Sequence, residues 1–531
     1  MRLPSASAKN IRLTRNLDSF IPFSLSACLD PEWARIHEKR ADRQDDLLTI
    51  WPRFRESARI VIQLTTNNSL PVVRTSSSSP SAEPTNRDPN SSPTRGHGPV
   101  EALRHDLAPG LLVLAAMLLF APRLDVPPRY MFDEVYHAYT AGQYAAGNAD
   151  AYVWDTKAPR PGVAYMWNHP PAGVLMITGG ILLWGDSPFG WRFSSAVFGA
   201  AGVLLVYLLG LAITRDRTMA VLAASLVLVD TLWFVQSRIA MLDIFGTVFS
   251  LATLLSLHSF LTSRADQAAP ALIRTGLFLG LALATKWNAA FLAVFTGIVV
   301  LHHSWASARS TRQFPNAGTR FAWRSLLIWV PVSLLLVPAL VYLAAYIPFF
   351  SMGHDWGQLL ELHRQTFAYH LQLKELHTYQ SHWWQWPLAM RPVWYSVSYV
   401  GDTVAHIYGN GNALLYWAFL PAVVALCVRL WRESKPALMV LLIGFFGQWL
   451  PWALSPRNAF TYYFLPAAPF GAIAVSAGAV TLYRRGGAWR WIVLVYLVAL
   501  VAYFVYFYPI HAAVPISREA FDSRIWFPSW R

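Results

Sequence analysis

Long apolar runs recur along most of this chain, and they limit its fold more than any other feature does. A helix needs about 20 apolar residues to cross a bilayer core about 30 Å thick, and only helices or closed barrels can satisfy their backbone hydrogen bonds there. With 55% hydrophobic residues and a mean hydropathy of +0.33, the chain is too apolar for a soluble protein of this length. We therefore predict an all-α polytopic membrane protein with about eleven transmembrane helices. The predicted spans are 108–122, 191–213, 218–235, 239–260, 272–285, 287–304, 324–347, 411–430, 436–454, 459–482 and 489–508.

The residues outside these spans divide the chain into three parts. Residues 1–104 hold no predicted span, and the Ser-, Pro-, Asn- and Arg-rich stretch 75–98 has the composition of a disordered segment. We expect 1–104 to be a disordered cytoplasmic extension or an over-long gene start. Residues 105–510 form the predicted transmembrane domain, and 511–531 an extracytoplasmic tail. The shorter apolar run 171–184 is expected to lie at the membrane interface as a helix, with a membrane span as the alternative.

The formal charge of +14 suggests nucleic acid at first sight, but its distribution indicates membrane topology instead. Arg and Lys cluster in alternate connections between spans, and such clusters mark the cytoplasmic side of membrane proteins. With the N-terminus cytoplasmic, every cluster falls on that side, and we expect no nucleic-acid partner. The assignment requires the apolar stretch 272–304 to be two helices rather than one. The clusters lie at 215–217, 264–274, 309–324, 429–435 and 484–490.

Polar and charged side chains gather at the opposite, extracytoplasmic ends of the predicted spans. Burying a charged side chain near a membrane interface costs free energy, and such residues often mark a substrate path. Taken singly, each residue has a simpler explanation, such as a helix-capping acid, an Arg238–Asp243 ion pair or a snorkelling Arg192. Taken together, they are typical of a site for an anionic, lipid-linked substrate. The residues are Asp133, Glu134, His169, Arg192, Arg238, Asp243, Lys286 and Arg457.

A lipid-linked sugar phosphate suits such a site chemically. Arg and Lys bind the phosphate through charge-assisted hydrogen bonds, and one carboxylate suffices to take a proton from an acceptor hydroxyl. Adjacent carboxylates such as Asp133 and Glu134 seldom flank a sugar from both sides, so a glycosidase-like pair is not favoured. The sequence has no Gly-rich phosphate loop, and Cys28 and Cys427 are too far apart to suggest a metal cluster. We expect no dedicated metal site and no cofactor, although a divalent ion can still bridge the donor phosphate to an acid.

Several motifs resemble those of one enzyme family, and they occur in the family's order. Phe132-Asp-Glu-Val-Tyr136 and His169-Pro-Pro171 resemble the first-loop motifs of the protein O-mannosyltransferases, polytopic enzymes that use polyprenyl-phosphate mannose. The order of many motifs over about residues 105–510 is far more specific than any one of them. The later motifs are Trp191–Ser195, Gln236–Asp243, Thr285–Trp287, His377–Pro387, Arg391–Pro392 and Arg457–Tyr463.

The resemblance implies a C-type glycosyltransferase fold and a role for each matching residue. Asp133 would be the catalytic base, with Glu134 positioning the acceptor. Arg192 and Arg457 would be candidates for the donor phosphate, and His169, Arg238, Asp243 and Lys286 would be further substrate-site residues. The family often has Leu-Gly-Lys after His-Pro-Pro, whereas this chain reads Ala172-Gly-Val174, so that lysine's role is not carried out here. The loop 348–410 has no room for the β-rich domain of eukaryotic members, which favours a bacterial enzyme.

The leading hypothesis is an inverting glycosyltransferase that moves mannose from polyprenyl-phosphate mannose to Ser or Thr of proteins outside the cell membrane. Its expected partners are those acceptor proteins, membrane lipids and the protein translocase. Two alternatives stay open: a relative that glycosylates lipid A or a cell-wall glycan, and a multi-pass transporter or lipid flippase. Against transport stand the lack of an internal repeat and the gathering of charge at one face of the membrane.

Overall fold

The computed structural model describes residues 106–264, 267–313, 328–372, 377–455 and 458–531, without the side chains of 308–313. The predicted extension 1–104 and Arg457 therefore lie outside the described residues. The α-helices are α1 (Ala108–Phe120), α2 (Glu134–Ala145), α3 (Ala172–Trp184), α4 (Pro188–Thr214), α5 (Arg217–Leu228), α6 (Thr231–Gln236), α7 (Asp243–Thr262), α8 (Ala268–Thr285), α9 (Ala289–Gln313), α10 (Val337–Ala344), α11 (Ile347–Ser351), α12 (Trp356–Gln372), α13 (Ala413–Glu433), α14 (Lys435–Leu442), α15 (Ala468–Arg485), α16 (Gly487–His511) and α17 (Arg518–Asp522). Two π-helical turns, Val332–Leu336 and Ile443–Gly447, precede α10 and follow α14.

Seven helices of the described residues are long and apolar enough to cross a membrane. They are α4, α7, α8, α9 over Ala289–Ser307, α13, the segment Lys435–Leu454 that includes α14, and α16. Four shorter apolar helices accompany them: α1, α3, α5 and the segment Ile328–Ala344. The all-α polytopic class is thus confirmed, whereas the count of eleven spans is not. The helix expected over 171–184 forms as α3.

The split of 272–304 into two helices is confirmed. Helix α8 ends at Thr285, Lys286 has an extended backbone (φ −158°, ψ 133°), and α9 begins at Ala289. Lys286 is therefore the C-terminal cap residue of α8. A charged residue of the candidate site therefore lies at the helix break that the charge pattern required.

Two other predicted spans have different boundaries in the structure. The span predicted over 218–235 is interrupted at Asp230, whose carboxylate accepts the N–H of Leu232 at 3.2 Å and so caps α6. Asp230 is buried and also accepts the hydroxyl of Tyr416 at 3.2 Å, so a tertiary contact fixes this break. The helix predicted over 459–482 begins only at Ala468, because 461–464 form a 3-10 turn.

Small residues allow α8 to approach its neighbour closely. Gly276 and Gly280 lie one helical turn apart, and a Cβ atom on Gly276 would collide with the carbonyl of Ser333 in the π-helical turn. A Cβ atom on Gly280 would press against the backbone of Pro338 in α10 at 2.8 Å. Small residues at such a spacing are a common way to pack helices in membranes, where van der Waals contact largely determines association.

The connections on one side of the helices form a folded layer, here called the loop layer (residues 121–171, 347–410 and 512–531). It contains α2, α11, α12 and two small antiparallel sheets. In these, β1 (Val393–Ser396) pairs with β4 (Ile407–Gly409), and β3 (Thr403–Val404) lies between β2 (Tyr399–Val400) and β5 (Ile516–Ser517). Within this layer the segment 512–531 packs on 347–410: Trp530 is fully buried, and its Nε1 donates to the carbonyl of Ala389 at 2.8 Å.

Candidate active site

The acid pair lies at the start of α2, inside the loop layer. Asp133 is the residue before the first helical turn, and its side chain makes no capping hydrogen bond to that helix. The residue before it, Phe132, has φ 48°, a left-handed conformation that a bulky side chain seldom adopts. Asp133 remains half-buried while the next residue, Glu134, is fully buried. The two carboxylates therefore have different environments although they are adjacent in sequence.

Glu134 is one half of a buried ion pair with Arg192 of α4. Its two oxygens accept Nε and Nη2 of Arg192 at 2.8 and 2.7 Å, and both side chains have 0% exposure. The same carboxylate accepts the backbone N–H groups of Met131 at 3.1 Å and Ala240 at 2.9 Å. Glu134 thus ties the acid loop to α4 and to the segment before α7.

The remaining N–H groups of Arg192 bind the loop that follows α1. They donate to the carbonyls of Leu124 and Pro127 at 2.9 and 3.0 Å, and to that of Arg129 at 2.9 Å. With its five N–H groups engaged and no exposed surface, this guanidinium has none left for a ligand in this conformation. The structure therefore places Arg192 behind the acid loop, where its guanidinium is enclosed by Glu134 and three backbone carbonyls.

A second ion pair joins Asp243 at the start of α7 to Lys286 at the α8–α9 break. Lys286 Nζ lies 2.8 Å and 3.0 Å from the two oxygens of Asp243. It also lies 5.4 Å from the ring centre of Tyr462 and 4.8 Å from that of Tyr463. The sequence left open an Arg238–Asp243 pair, but the partner of Asp243 is Lys286.

Electrostatics connect this pair to Asp133. Burial raises the pKa of the Asp133 carboxyl to about 7; the charge of Lys286 lowers it in part, and that of Asp243 raises it. A carboxyl group with a pKa near neutrality is ionised often enough to accept a proton and is basic enough to hold it. Groups with such shifted pKa values gather at functional sites. A carboxylate with this pKa can serve as a general base, which is the role that the sequence resemblance implies for Asp133.

The other residues singled out from the sequence have different positions. Arg238 is buried at the end of α1, where Nη1 donates to the carbonyls of Phe120 and Pro122 at 2.7 and 2.6 Å. It thus holds the beginning of the loop that leads to the acid pair. His169 is half-buried in the loop layer, with its ring centre 5.3 Å from that of His370 in α12. Arg457 lies outside the described residues, so its role stays a prediction.

An aromatic shell around Phe132 was not predicted. Its ring has edge-to-face contacts with Tyr395 of β1 at 5.1 Å, His377 at 6.0 Å and Tyr462 at 6.3 Å between ring centres. Gln236 Nε2 donates to the hydroxyl of Tyr395 at 2.6 Å, which fixes that ring beside the acid loop. His377 and Tyr462 lie within motifs noted in the sequence, and Tyr395 lies three residues after Pro392, but motif order does not say which rings meet.

A small polar recess, with room for about one water molecule, adjoins the Asp243–Lys286 pair. Among its lining residues, Thr247 Oγ1 and Gln448 Nε2 are buried without a hydrogen-bond partner in the described part of the chain. Within that part, no group of three or more His, Cys, Asp or Glu side chains has the arrangement of a metal site. The site thus combines the Asp133 carboxylate, the two ion pairs Glu134–Arg192 and Asp243–Lys286, and a polar recess.

The fold and this site define a class: a polytopic helical membrane protein of the C-type glycosyltransferase fold, with a carboxylate in its first large loop. In the solved structure of the S. cerevisiae protein O-mannosyltransferase Pmt1-Pmt2 complex bound to the sugar donor, one chain superposes with a TM-score of 0.66 at 16% sequence identity. The match covers 80% of this chain and 92% of that one. At this identity the likeness establishes the fold.

Sequence comparison places the chain in a family. The model for dolichyl-phosphate-mannose-protein mannosyltransferases matches residues 110–352, and the model for the C-terminal four-span region of protein O-mannosyltransferases matches 355–530. The chain belongs to the protein O-mannosyltransferase family. It is 27% identical to the polyprenol-phosphate-mannose–protein mannosyltransferase of Mycobacterium tuberculosis H37Rv over 503 residues (83% of this chain, 94% of the relative). The enzyme of the same name from Mycolicibacterium smegmatis MKD8 is 29% identical over 434 residues (68% and 82%).

Proposed function

We propose that this protein transfers mannose from polyprenyl-phosphate mannose to Ser or Thr hydroxyls of proteins, with inversion at the anomeric carbon. The observation that carries the proposal concerns Asp133. Its carboxylate makes no capping hydrogen bond to α2, has a pKa near neutrality, and is electrostatically coupled to the Asp243–Lys286 pair. Family membership and the names of the mycobacterial relatives support the donor and the class of acceptor.

In the proposed reaction, the acceptor hydroxyl oxygen attacks the anomeric carbon of the donor. As this carbon–oxygen bond forms, the proton of the hydroxyl moves to the Asp133 carboxylate, and the bond between the anomeric carbon and the phosphate oxygen breaks. The polyprenyl phosphate leaves with the bonding electrons. Because the phosphate is a good leaving group, the protein's main contributions are the base and the orientation of donor and acceptor.

The cation that we assign to the departing phosphate is Lys286. It is the cation coupled to Asp133, and the Tyr462 and Tyr463 rings together with Asp243 hold its ammonium group in place. Arg457 remains a candidate for a second cation. Arg192 receives a different role, since its five N–H groups hold Glu134 and the acid loop; it is a positioning residue for Asp133.

We place the site outside the cytoplasm and the protein in the cell membrane. Basic clusters such as 429–435 and 484–490 lie in connections opposite the loop layer in the predicted topology, and such clusters stay cytoplasmic. Proteins emerging from the translocase on that outer side would present unfolded Ser and Thr residues to the site. This placement makes the translocase a natural neighbour of the enzyme.

A labelled-donor assay tests the proposed function. Membranes containing the protein, supplied with polyprenyl-phosphate [³H]mannose, are expected to transfer label to protein in a form released by β-elimination, because the linkage is to Ser or Thr. Membranes without the protein give the background. Label found only in glycolipid would overturn the protein-acceptor proposal and favour the transferase that acts on lipid A or a cell-wall glycan.

The pH dependence follows from the ionisation of Asp133. Only the ionised carboxylate accepts a proton, so transfer should rise with pH through about 7, the pKa of Asp133. Since the charge of Lys286 lowers that pKa, Lys286→Met should shift the midpoint to higher pH. Initial rates between pH 5 and pH 9, about two units either side of neutrality, measure the midpoint. A profile that is flat across this range would separate catalysis from the ionisation of Asp133.

Metal removal gives a further prediction. The described residues offer no ready metal cluster, and Lys286 can stabilise the leaving phosphate without one. We therefore expect mannosyl transfer to survive exhaustive chelation with EDTA followed by gel filtration. Loss of transfer that added Mn²⁺ or Mg²⁺ restores would instead show that an ion bridges the donor phosphate to an acid.

A further inference from the structure

Helix α12 has three different faces. One face packs on the protein, since Leu359, Leu362 and Thr366 are 3%, 7% and 3% exposed. A second face is polar, with Arg364 donating to Glu361 at 2.6 Å and Gln365 donating to the same carboxylate. A helix lying on the surface of a soluble protein needs only these two faces.

The third face is apolar and exposed. Trp356, Leu360, Phe367 and Leu371 are 59%, 70%, 59% and 60% exposed. Their spacings of four, seven and four residues place them in one stripe along the helix. The stripe lies between the buried face and the polar face, so it points neither into the protein nor directly away from it.

The membrane segment that precedes α12 also exposes large apolar side chains. In residues 328–347 the large side chains Leu335, Leu340 and Ile347 are 70%, 57% and 60% exposed, as expected where acyl chains cover a span. Helix α12 begins only nine residues after Ile347. The exposed apolar face of α12 thus follows, within a few residues, a segment whose exposed leucines are typical of a membrane span.

We propose that α12 lies in the membrane interface, with its apolar stripe among the acyl chains of the leaflet next to the loop layer. Interfacial helices combine a large apolar face with a strongly charged or polar one. The polar face then points to water, and Arg364 lies at its boundary with the stripe, where its long side chain reaches the headgroups.

The buried face connects this helix to the candidate site. Thr366 Oγ1 donates to the carbonyl of Trp167 at 3.1 Å, and His370 Nε2 lies 2.8 Å from the carbonyl of Asn168, directly before His169. His363 Nε2 lies 2.8 Å from the hydroxyl of Tyr342. That hydroxyl also accepts Nε1 of Trp287, the residue after Lys286, at 3.1 Å.

Through these contacts, the depth of α12 in the membrane would set the depth of the candidate site. A helix held at headgroup depth would hold the His169 loop and the Lys286 segment at that depth too. The phosphate of a lipid-linked donor lies at the same level of the bilayer. This consequence rests on the proposed function, whereas the placement of α12 in lipid does not.

Collision of spin labels with oxygen and with a water-soluble nickel chelate tests the placement directly. With Cys28 and Cys427 replaced by serine, labels are attached at Leu360→Cys and Phe367→Cys in proteoliposomes, and at Gln365→Cys as the matched control on the polar face. We expect oxygen to relax the labels at 360 and 367 more than the nickel chelate does, and the reverse at 365. Greater relaxation by nickel at 360 and 367 would overturn the proposal. Protection from both reagents would also overturn it, since a protein partner would then cover the stripe.

A transfer assay tests the link to the site. Phe367→Glu is expected to lower mannosyl transfer in proteoliposomes about tenfold, because the charge pulls the helix out of the lipid. Gln365→Glu, on the polar face, is expected to remain near wild type, and Phe367→Tyr should restore transfer. If wild-type protein shows no mannosyl transfer, the proposed function fails while the spin-label result still decides the position of α12. Full transfer by Phe367→Glu would remove the link between that position and the site.

Discussion

Asp133→Asn should lower mannosyl transfer about a thousandfold, within the range that loss of a general base produces. Asparagine has nearly the same shape, but its amide cannot take the proton of the acceptor hydroxyl. The substitution also leaves the helix start intact, since Asp133 makes no capping hydrogen bond there. Transfer of label from polyprenyl-phosphate mannose to protein, measured per amount of purified enzyme, gives the effect. Binding of the donor lipid should change little, because its phosphate is assigned to Lys286.

The matched control is Asp125→Asn, eight residues earlier in the same loop. Asp125 is exposed, so its charge is well solvated, and we expect its substitution to leave transfer near the wild-type rate. A transporter or flippase deprotonates no acceptor hydroxyl. Its transport activity would therefore not differ between Asp133→Asn and Asp125→Asn in this way. Near-wild-type transfer by Asp133→Asn would remove the proposed base and with it the mechanism.

The sequence was sufficient to predict the class of fold and the loops in which the candidate site lies. Hydrophobic runs indicate membrane helices because a bilayer leaves the backbone no other solution. The charge pattern also predicted the helix break before Ala289, since a single helix would have put the later basic clusters on the wrong side. Motif order then identified the loops that meet around Asp133. All of these signals are local or depend only on which side of the membrane a segment reaches.

Pairing of charged side chains could not be predicted in the same way. Glu134 and Arg192 are 58 residues apart, and Asp243 and Lys286 are 43 apart. Spacing along the chain favoured Arg238 as the partner of Asp243, but the guanidinium of Arg238 instead binds the carbonyls at the end of α1. The choice of partner depends on how helices pack, and one sequence carries no record of that packing.

Helix boundaries were limited by a similar effect. The break at Asp230 depends on capping of α6 and on the hydroxyl of Tyr416, 186 residues away. The sequence did not indicate this break, because Asp230 has apolar residues on both sides and the hydropathy averaged over the segment stays high. The π-helical turns before α10 and after α14 likewise shift the register of apolar residues without a marked change in composition.

The second large effect is expected for the buried pair behind Asp133. Arg192→Met leaves the Glu134 carboxylate buried without its partner, which for a buried pair costs about 3–5 kcal/mol. Since native proteins are stable by only about 5–15 kcal/mol, much of this variant should fail to fold. The yield of monodisperse protein in detergent and its thermal unfolding measure the loss. Arg429→Met is the matched control, because its partner Glu433 is exposed and such pairs contribute about 0–1 kcal/mol.

The double variant Glu134→Gln with Arg192→Met distinguishes a positioning role of Arg192 from contact with the donor. If Arg192 acts through Glu134, neutralising the carboxylate removes the unpaired charge, and the double variant should be more stable than Arg192→Met alone. Transfer by the folded fraction should then show a lowered kcat and an unchanged KM for the donor. The reason is that the orientation of the Asp133 carboxylate is disturbed while donor binding is kept. A different outcome would follow from direct contact with the phosphate: Arg192→Met would fold normally and show a raised KM for the donor. That outcome would return Arg192 to the role that the motif resemblance gave it, and would require the acid loop to open so that the guanidinium exchanges backbone carbonyls for phosphate oxygens.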